Sequence, residues 1–235
     1  MTYVYEKYVC EPNRIMDTVA KYGVAIVPNV LNSNEIETMR NGAFETFEHI
    51  TQHFERPFNR EDNTTWGELS KLLPLHSMLY QYYSLGHAQY VWDVRQNPKV
   101  VDIFAEMYGT QDLLTSFDGV SFHVPHEITK KGYYRGNKWY HTDQTPLDSS
   151  FKCIQSWITA YDVNEGDATL AFLEGSNNYH FLLKDQFKID EKGDWFKLPT
   201  EIYDYMVNRC EEKYIMCPAG SMVLWDSRTF HCGKE

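Results

Sequence analysis

Basic residues are scarce in this chain of 235 residues: Lys and Arg number 22 against 33 Asp and Glu, a formal charge of -11. Nucleic-acid binding is driven largely by clustered cations that neutralise phosphates, so this balance argues against such a partner. Also missing is an apolar run long enough to span a bilayer, which argues against a membrane partner. The opening stretch Met1–Arg14 lacks the apolar segment of a secretory leader. Cysteine is limited to five residues, at positions 10, 153, 210, 217 and 232, odd in number and unevenly spread. An intracellular, cytoplasmic setting that keeps thiols reduced is therefore expected. Cys210 and Cys217 stand too far apart for the tight spacing of a zinc knuckle. No repeat, low-complexity segment or linker divides the chain.

What is present suits a globular protein. Hydrophobic residues make up 43% and aromatics 15%, and a chain of this length buries on the order of 70% of its unfolded surface. The first half reads as mainly helical. Residues 13–22 form an amphipathic pattern ended by Gly23, and Val24–Val27 reads as a buried strand closed by Pro28. Asn32 followed by Glu35 has the form of a capping box. Ile36, Met39, Ala43, Phe44, Phe47 and Ile50 then recur at helical spacing, so a helix is predicted over 33–53, with its stripe in the core. Pro98 fits the first turn of another helix that Gly109 ends.

Past residue 113 the period changes to that of strands. Leu113–Val124 and Phe151–Val163 read as strands, the second placing Cys153, Gln155, Trp157 and Thr159 on one face. That face is the one predicted to line a pocket. Residues 178–213 read as an insertion of loop and short helix, with Phe181, Leu182, Phe187, Trp195 and Phe196 as packing anchors. Met222–Trp225 reads as a buried strand, Asp226-Ser227 as a turn, and Thr229–Cys232 as a returning strand.

The chemistry concentrates in two places. In Trp139–Gln144, His141 and Asp143 lie two positions apart in a strand-like setting, so both point to one face. A nitrogen and an oxygen on one face can share a metal ion, but this triplet alone is weak evidence. His231, on the returning strand, supplies a second imidazole from far along the chain. Two imidazoles and one carboxylate form the facial triad of non-haem Fe(II) oxygenases, with positions left open for O2 and an organic co-substrate. His123 and His126 form a rival spacing just upstream, for which a buried structural histidine is the competing reading. Lys130, Lys131, Arg135 and Lys138 read as a solvated loop before an anion-binding lid.

The segment His141–Gln144, the turn-bounded stretch Gly166–Ser176 and the run Pro218–Gly233 together resemble the phytanoyl-CoA dioxygenase-like branch of the Fe(II)/2-oxoglutarate-dependent oxygenases. The resemblance extends from the strand near Gly23 to the end. It implies an α+β fold: a double-stranded β-helix (jelly-roll, cupin-like) core with N-terminal helices packed on one face. It implies one oxygenase-like domain over 1–235, with 1–112 as helical support and 113–235 as the core. His141, Asp143 and His231 would be the catalytic Fe(II) ligands, with 2-oxoglutarate and O2 as co-substrates. Trp157 would lie beside 2-oxoglutarate, where an interior aromatic filling the core is the competing reading. His123 would supply a polar contact to the same co-substrate. In this family an Arg after the distal His pairs with the far carboxylate of 2-oxoglutarate, and the sequence ends at Glu235 before that strand. A truncated sequence is the expectation, with Arg135 or Arg228 as substitutes and loss of 2-oxoglutarate use as the remaining option. The function implied is hydroxylation of a small molecule, since Asp143 stands where related halogenases carry a small residue. A non-oxidative cupin-like metal site and a catalytically inactive binding protein are the alternatives.

Overall fold

The computed structural model describes residues 2–129 and 139–234. The basic cluster Lys130, Lys131, Arg135 and Lys138 lies outside the described residues, and so does the side chain of His126. Among the described residues the strands are β1 (Thr2–Val4), β2 (Val24–Val27), β3 (Leu79–Tyr80), β4 (Val120–Ser121), β5 (His141–Thr142), β6 (Ile154–Ile158), β7 (Thr169–Leu173), β8 (Phe196–Lys197), β9 (Glu212–Ile215), β10 (Met222–Asp226) and β11 (His231–Lys234). The chain forms two compact units, one of Met1–Leu31 with Asn137–Glu235, the other of Asn32–Gly136. No helix among the described residues is long and apolar enough to cross a membrane.

The first unit holds two sheets. The larger runs β1-β9-β7-β11-β5-β8 and the smaller β2-β10-β6. All pairings are antiparallel except β1 with β9, which is parallel. Val24, Ile26, Val223 and Trp225 of the smaller sheet pack in one cluster with Leu170 and Phe172 of the larger. A core built from the facing sides of two sheets is the jelly-roll arrangement, and here the sheets stay open instead of closing into a barrel.

Local sequence explains the elements that frame this core. In the helix Ile15–Tyr22, Ile15 and Val19 are buried, and Gly23 ends it in the left-handed region at φ 84°. The amide of Gly23 donates to the carbonyl of Val19 at 2.7 Å. All residues of β2 are buried, as expected for an apolar run between a helix and the partner strand β10. Gly220, at φ 79°, shapes the turn into β10.

The second unit is built around the helix Ser33–Thr51, shorter by a turn end than the predicted 33–53. Its capping box is complete: the Asn32 side chain accepts from the Glu35 amide at 3.0 Å, and Glu35 accepts from the Asn32 amide at 2.7 Å. Phe47 packs with Phe58, Leu72 and Tyr80, and Phe44 and Phe122 border the same cluster. The helix Pro98–Tyr108 starts at its proline and ends at Gly109, φ 66°.

Three predicted elements differ. Of the strand expected over Leu113–Val124, β4 alone forms a ladder, with β3. Its alternating Val120, Phe122 and Val124 instead report packing against the aromatic cluster. The strand expected over Phe151–Val163 shortens to β6. The stretch 178–213 carries helices His180–Phe187 and Thr200–Val207 but also β8 and part of β9, which join the larger sheet. Strands this short leave no readable period, and Glu212-Lys213 masks the second with charge. Phe196 is buried as predicted, whereas Phe181 and Trp195 are exposed.

At Gly23 an added Cβ would sit 2.7 Å from the Thr229 hydroxyl, which donates to the Gly23 carbonyl at 2.8 Å. Gly23→Ala is therefore expected to destabilise the protein by more than about 1 kcal/mol, because positive φ and close contact add. An unchanged denaturation midpoint would contradict this.

Candidate metal centre

β5 and β11 are antiparallel neighbours, and His231 stands directly opposite His141. On the other side of β11, His231 faces Phe172 of β7. Phe172 belongs to the cluster between the sheets, and cross-strand partners share a face. Both imidazoles consequently point into the interior, where His141 is 5% and His231 4% exposed. Asp143 follows just past the end of β5, its amide donating to the carbonyl of Ser227 at 2.9 Å.

The carboxylate meets both rings. Asp143 Oδ2 lies 3.2 Å from His231 Nε2, and Oδ1 lies 3.6 Å from His141 Nε2. One ligand atom from each of the three residues falls within 4.8 Å of the others, so the group can hold a metal ion. The far nitrogens are also engaged. His141 Nδ1 lies 3.2 Å from the Trp139 carbonyl and His231 Nδ1 lies 2.9 Å from the Thr229 carbonyl. A carbonyl can only accept, so each Nδ1 carries a proton, which leaves each Nε2 as the nitrogen that can offer a lone pair to a metal ion. Two neutral imidazoles and one carboxylate are the donor set that Fe(II) takes, and the residues present fit that ion.

The second sheet completes the surroundings. Gln155 of β6 stands opposite Trp225 of β10, and Trp157 opposite Val223. The Gln155 side chain hydrogen-bonds the Asp143 carboxylate. Trp225 lies over His231 with ring centres 5.4 Å apart. Trp139 stacks on His141 at 5.0 Å, and Trp195 approaches the same ring at 5.3 Å. Burial alone would raise the Asp143 carboxyl, but the hydrogen bond and charge of His231, then His141 and Gln155, bring it below its ordinary value.

The structure thus brings His141, Asp143 and His231 together and turns the predicted face of β6 toward them. Trp157 is partly buried and packs against the cluster between the sheets. His123 stands in the second unit, its Nε2 3.2 Å from the Ser121 hydroxyl. Burial pushes its imidazole down to about 4. Arg228 is held by Asp226 through Nε at 2.9 Å and Nη2 at 2.6 Å, and by the Ser149 carbonyl through Nη1 at 2.9 Å. Trp225 and Trp195 were assigned no place beside the ligands from sequence. Trp225 carried a usable signal, being two residues from Val223 on a strand that leads into the His231 turn.

Fold and site together are those of a jelly-roll protein with a candidate metal centre. The family model described as phytanoyl-CoA dioxygenase (PhyH) matches residues 19–235, and the chain belongs to that family. It is a family of Fe(II)- and 2-oxoglutarate-dependent enzymes that act on small molecules. A curated relative, "Ava biosynthesis cluster protein O" of Aspergillus versicolor, is 26% identical over 190 residues, 77% of this chain and 60% of that protein. The chain therefore spans about 60% of the length of that relative. Among solved structures, HygX from Streptomyces hygroscopicus, with nickel and 2-oxoglutarate bound, superposes at TM-score 0.52 with 12% identity, over 94% of this chain and 79% of that one. The 2-oxoglutarate-dependent carbocyclase SnoK of nogalamycin biosynthesis also gives TM-score 0.52, at 15% identity over 98% of this chain and 78% of that one. At these identities the two structures establish likeness of fold.

Because Asp143 is lowered in the folded state, it stabilises the metal-free protein above the unfolded carboxyl range, and this contribution is lost as pH falls through the folded value. With His231 the principal lowering group, His231→Ala is expected to raise the Asp143 titration midpoint in metal-free protein, followed by carboxyl carbon NMR. An identical titration curve in the variant would contradict this electrostatic account.

Proposed function

We propose that this chain is a dioxygenase of hydroxylase type that acts on a small molecule, with His141, Asp143 and His231 as its Fe(II) ligands. The observation that carries the reading is the convergence of those three ligand atoms within 4.8 Å, between sheets of an oxygenase-family fold. When bound, Fe(II) with 2-oxoglutarate supplies oxidation of a substrate coupled to decarboxylation of the co-substrate.

The chain's own groups do the rest. The Trp139 and Thr229 carbonyls hold the two rings in the ligating tautomer. Gln155 and His231 keep Asp143 ionised and oriented. Trp139 and Trp225 wall the imidazoles with apolar surface that limits water. A carboxylate at Asp143 supports hydroxylation over halogenation. Trp157 and His123 are assigned to the co-substrate from the family pattern. Arg228 is already engaged by Asp226 and Ser149, so it belongs to the turn before His231 and is a poor partner for the far carboxylate of 2-oxoglutarate. The reading places the protein inside the cell, where its five thiols, none joined in a disulfide among the described residues, stay reduced.

Asp143→Ala is expected to lose Fe(II) retention, by about two orders of magnitude or more in affinity, with its circular dichroism unchanged. Iron-dependent succinate formation from 2-oxoglutarate should vanish with it. Normal iron content in the variant would count directly against the ligand assignment. Turnover with Zn(II) in the absence of O2 would instead favour a Lewis-acid site.

A further inference from the structure

We propose that Gln144 is a positioning residue for the metal centre, clamping the segment that carries Asp143 to the one that leads into His231. The inference rests on the ligand assignment above. Sheet pairing holds His141 in β5 and His231 in β11, but Asp143 lies beyond the end of β5. Something other than the β5 ladder must fix its carboxylate.

The side chain next to it has the bonds to do so. Gln144 is 1% exposed, and its amide nitrogen donates to the carbonyls of Asp148 at 2.5 Å and Ser150 at 2.7 Å. Its amide oxygen accepts from the Ser227 hydroxyl at 2.8 Å. Ser227, fully buried, also receives the Asp143 amide on its own carbonyl at 2.9 Å. The Gln144 backbone carbonyl accepts from Thr142 Oγ1 at 2.8 Å and meets His180 Nε2 at 3.0 Å.

One amide thus ties the loop after Asp143 to the turn before His231, with the helix His180–Phe187 behind. The chemistry is specific to glutamine: two carbonyls require a donor and the hydroxyl requires an acceptor. Alanine would leave buried partners unmet and free the turn. A metal centre is sensitive to this, because ligands must hold to within about 0.5 Å.

The test is anaerobic Co(II) binding to the whole chain, read as affinity and ligand-field absorption, beside thermal melting of the metal-free protein. Gln144→Ala and Ser227→Ala are each expected to bind Co(II) about 10- to 100-fold more weakly, with an altered spectrum. Ser227→Thr, which keeps the hydroxyl, should restore both. Wild-type affinity and spectrum in Gln144→Ala and Ser227→Ala, whatever their melting temperatures, would overturn the proposal and leave Gln144 a support of the fold alone. Should Gln144→Ala fail to fold, Ser227→Ala decides on the same criteria. Failure of the ligand assignment looks different: wild type then takes up no Co(II), or Asp143→Ala binds it as tightly as wild type, and the clamp falls with the centre it serves.

Discussion

The pairing of β5 with β11 sets one imidazole against another, and the rest of the site follows from that register. A slip of one residue along either strand would turn its histidine to the opposite face, away from the interior. His231 is held in place from both sides, by His141 and by Phe172. The larger sheet therefore fixes the nitrogen ligands through backbone ladders, the most rigid support a chain can offer. The smaller sheet contributes what the ladder does not, a hydrogen bond to the carboxylate from Gln155 and an aromatic cover from Trp225.

Such a cluster has a physical cost. Removing a carboxylate from water costs several kcal/mol unless hydrogen bonds and opposite charge offset it. Asp143 receives both, and its carboxyl is lowered despite burial. The imidazoles, each tied by Nδ1 to a carbonyl of its own strand neighbourhood, direct their remaining nitrogens at the same two oxygens. Nothing about packing a jelly roll calls for that convergence. A cation shared by all three groups accounts for it.

Much of this was legible in the sequence because the chemistry is written with period two. His141 and Asp143 share a face by spacing, and Gln155 and Trp157 were assigned to the inward face by the same rule. Asn32 with Glu35 and Pro98 with Gly109 announced their helices through capping. What escaped notice had no period to show. β8 and β9 are too short, and of the apolar alternation at Val120, Phe122 and Val124 only Val120 belongs to a ladder, while all three border the aromatic cluster. Trp195 looked like a packing anchor yet stands exposed beside His141, since a tryptophan's hydrophobicity does not say whether it fills a core or flanks a site. Gln144 sat within the recognised motif, but its role depends on Ser227, 83 positions away in sequence, which no local pattern reveals.

The central claim is that one ion is held jointly by side chains from two strands distant in sequence. X-ray absorption at the iron edge of anaerobically Fe(II)-loaded protein tests it most directly. The account predicts a first shell containing two imidazoles, with the imidazole scattering falling by half in His231→Ala. A shell without imidazole in the wild type, or the same imidazole signal in that variant, would contradict it.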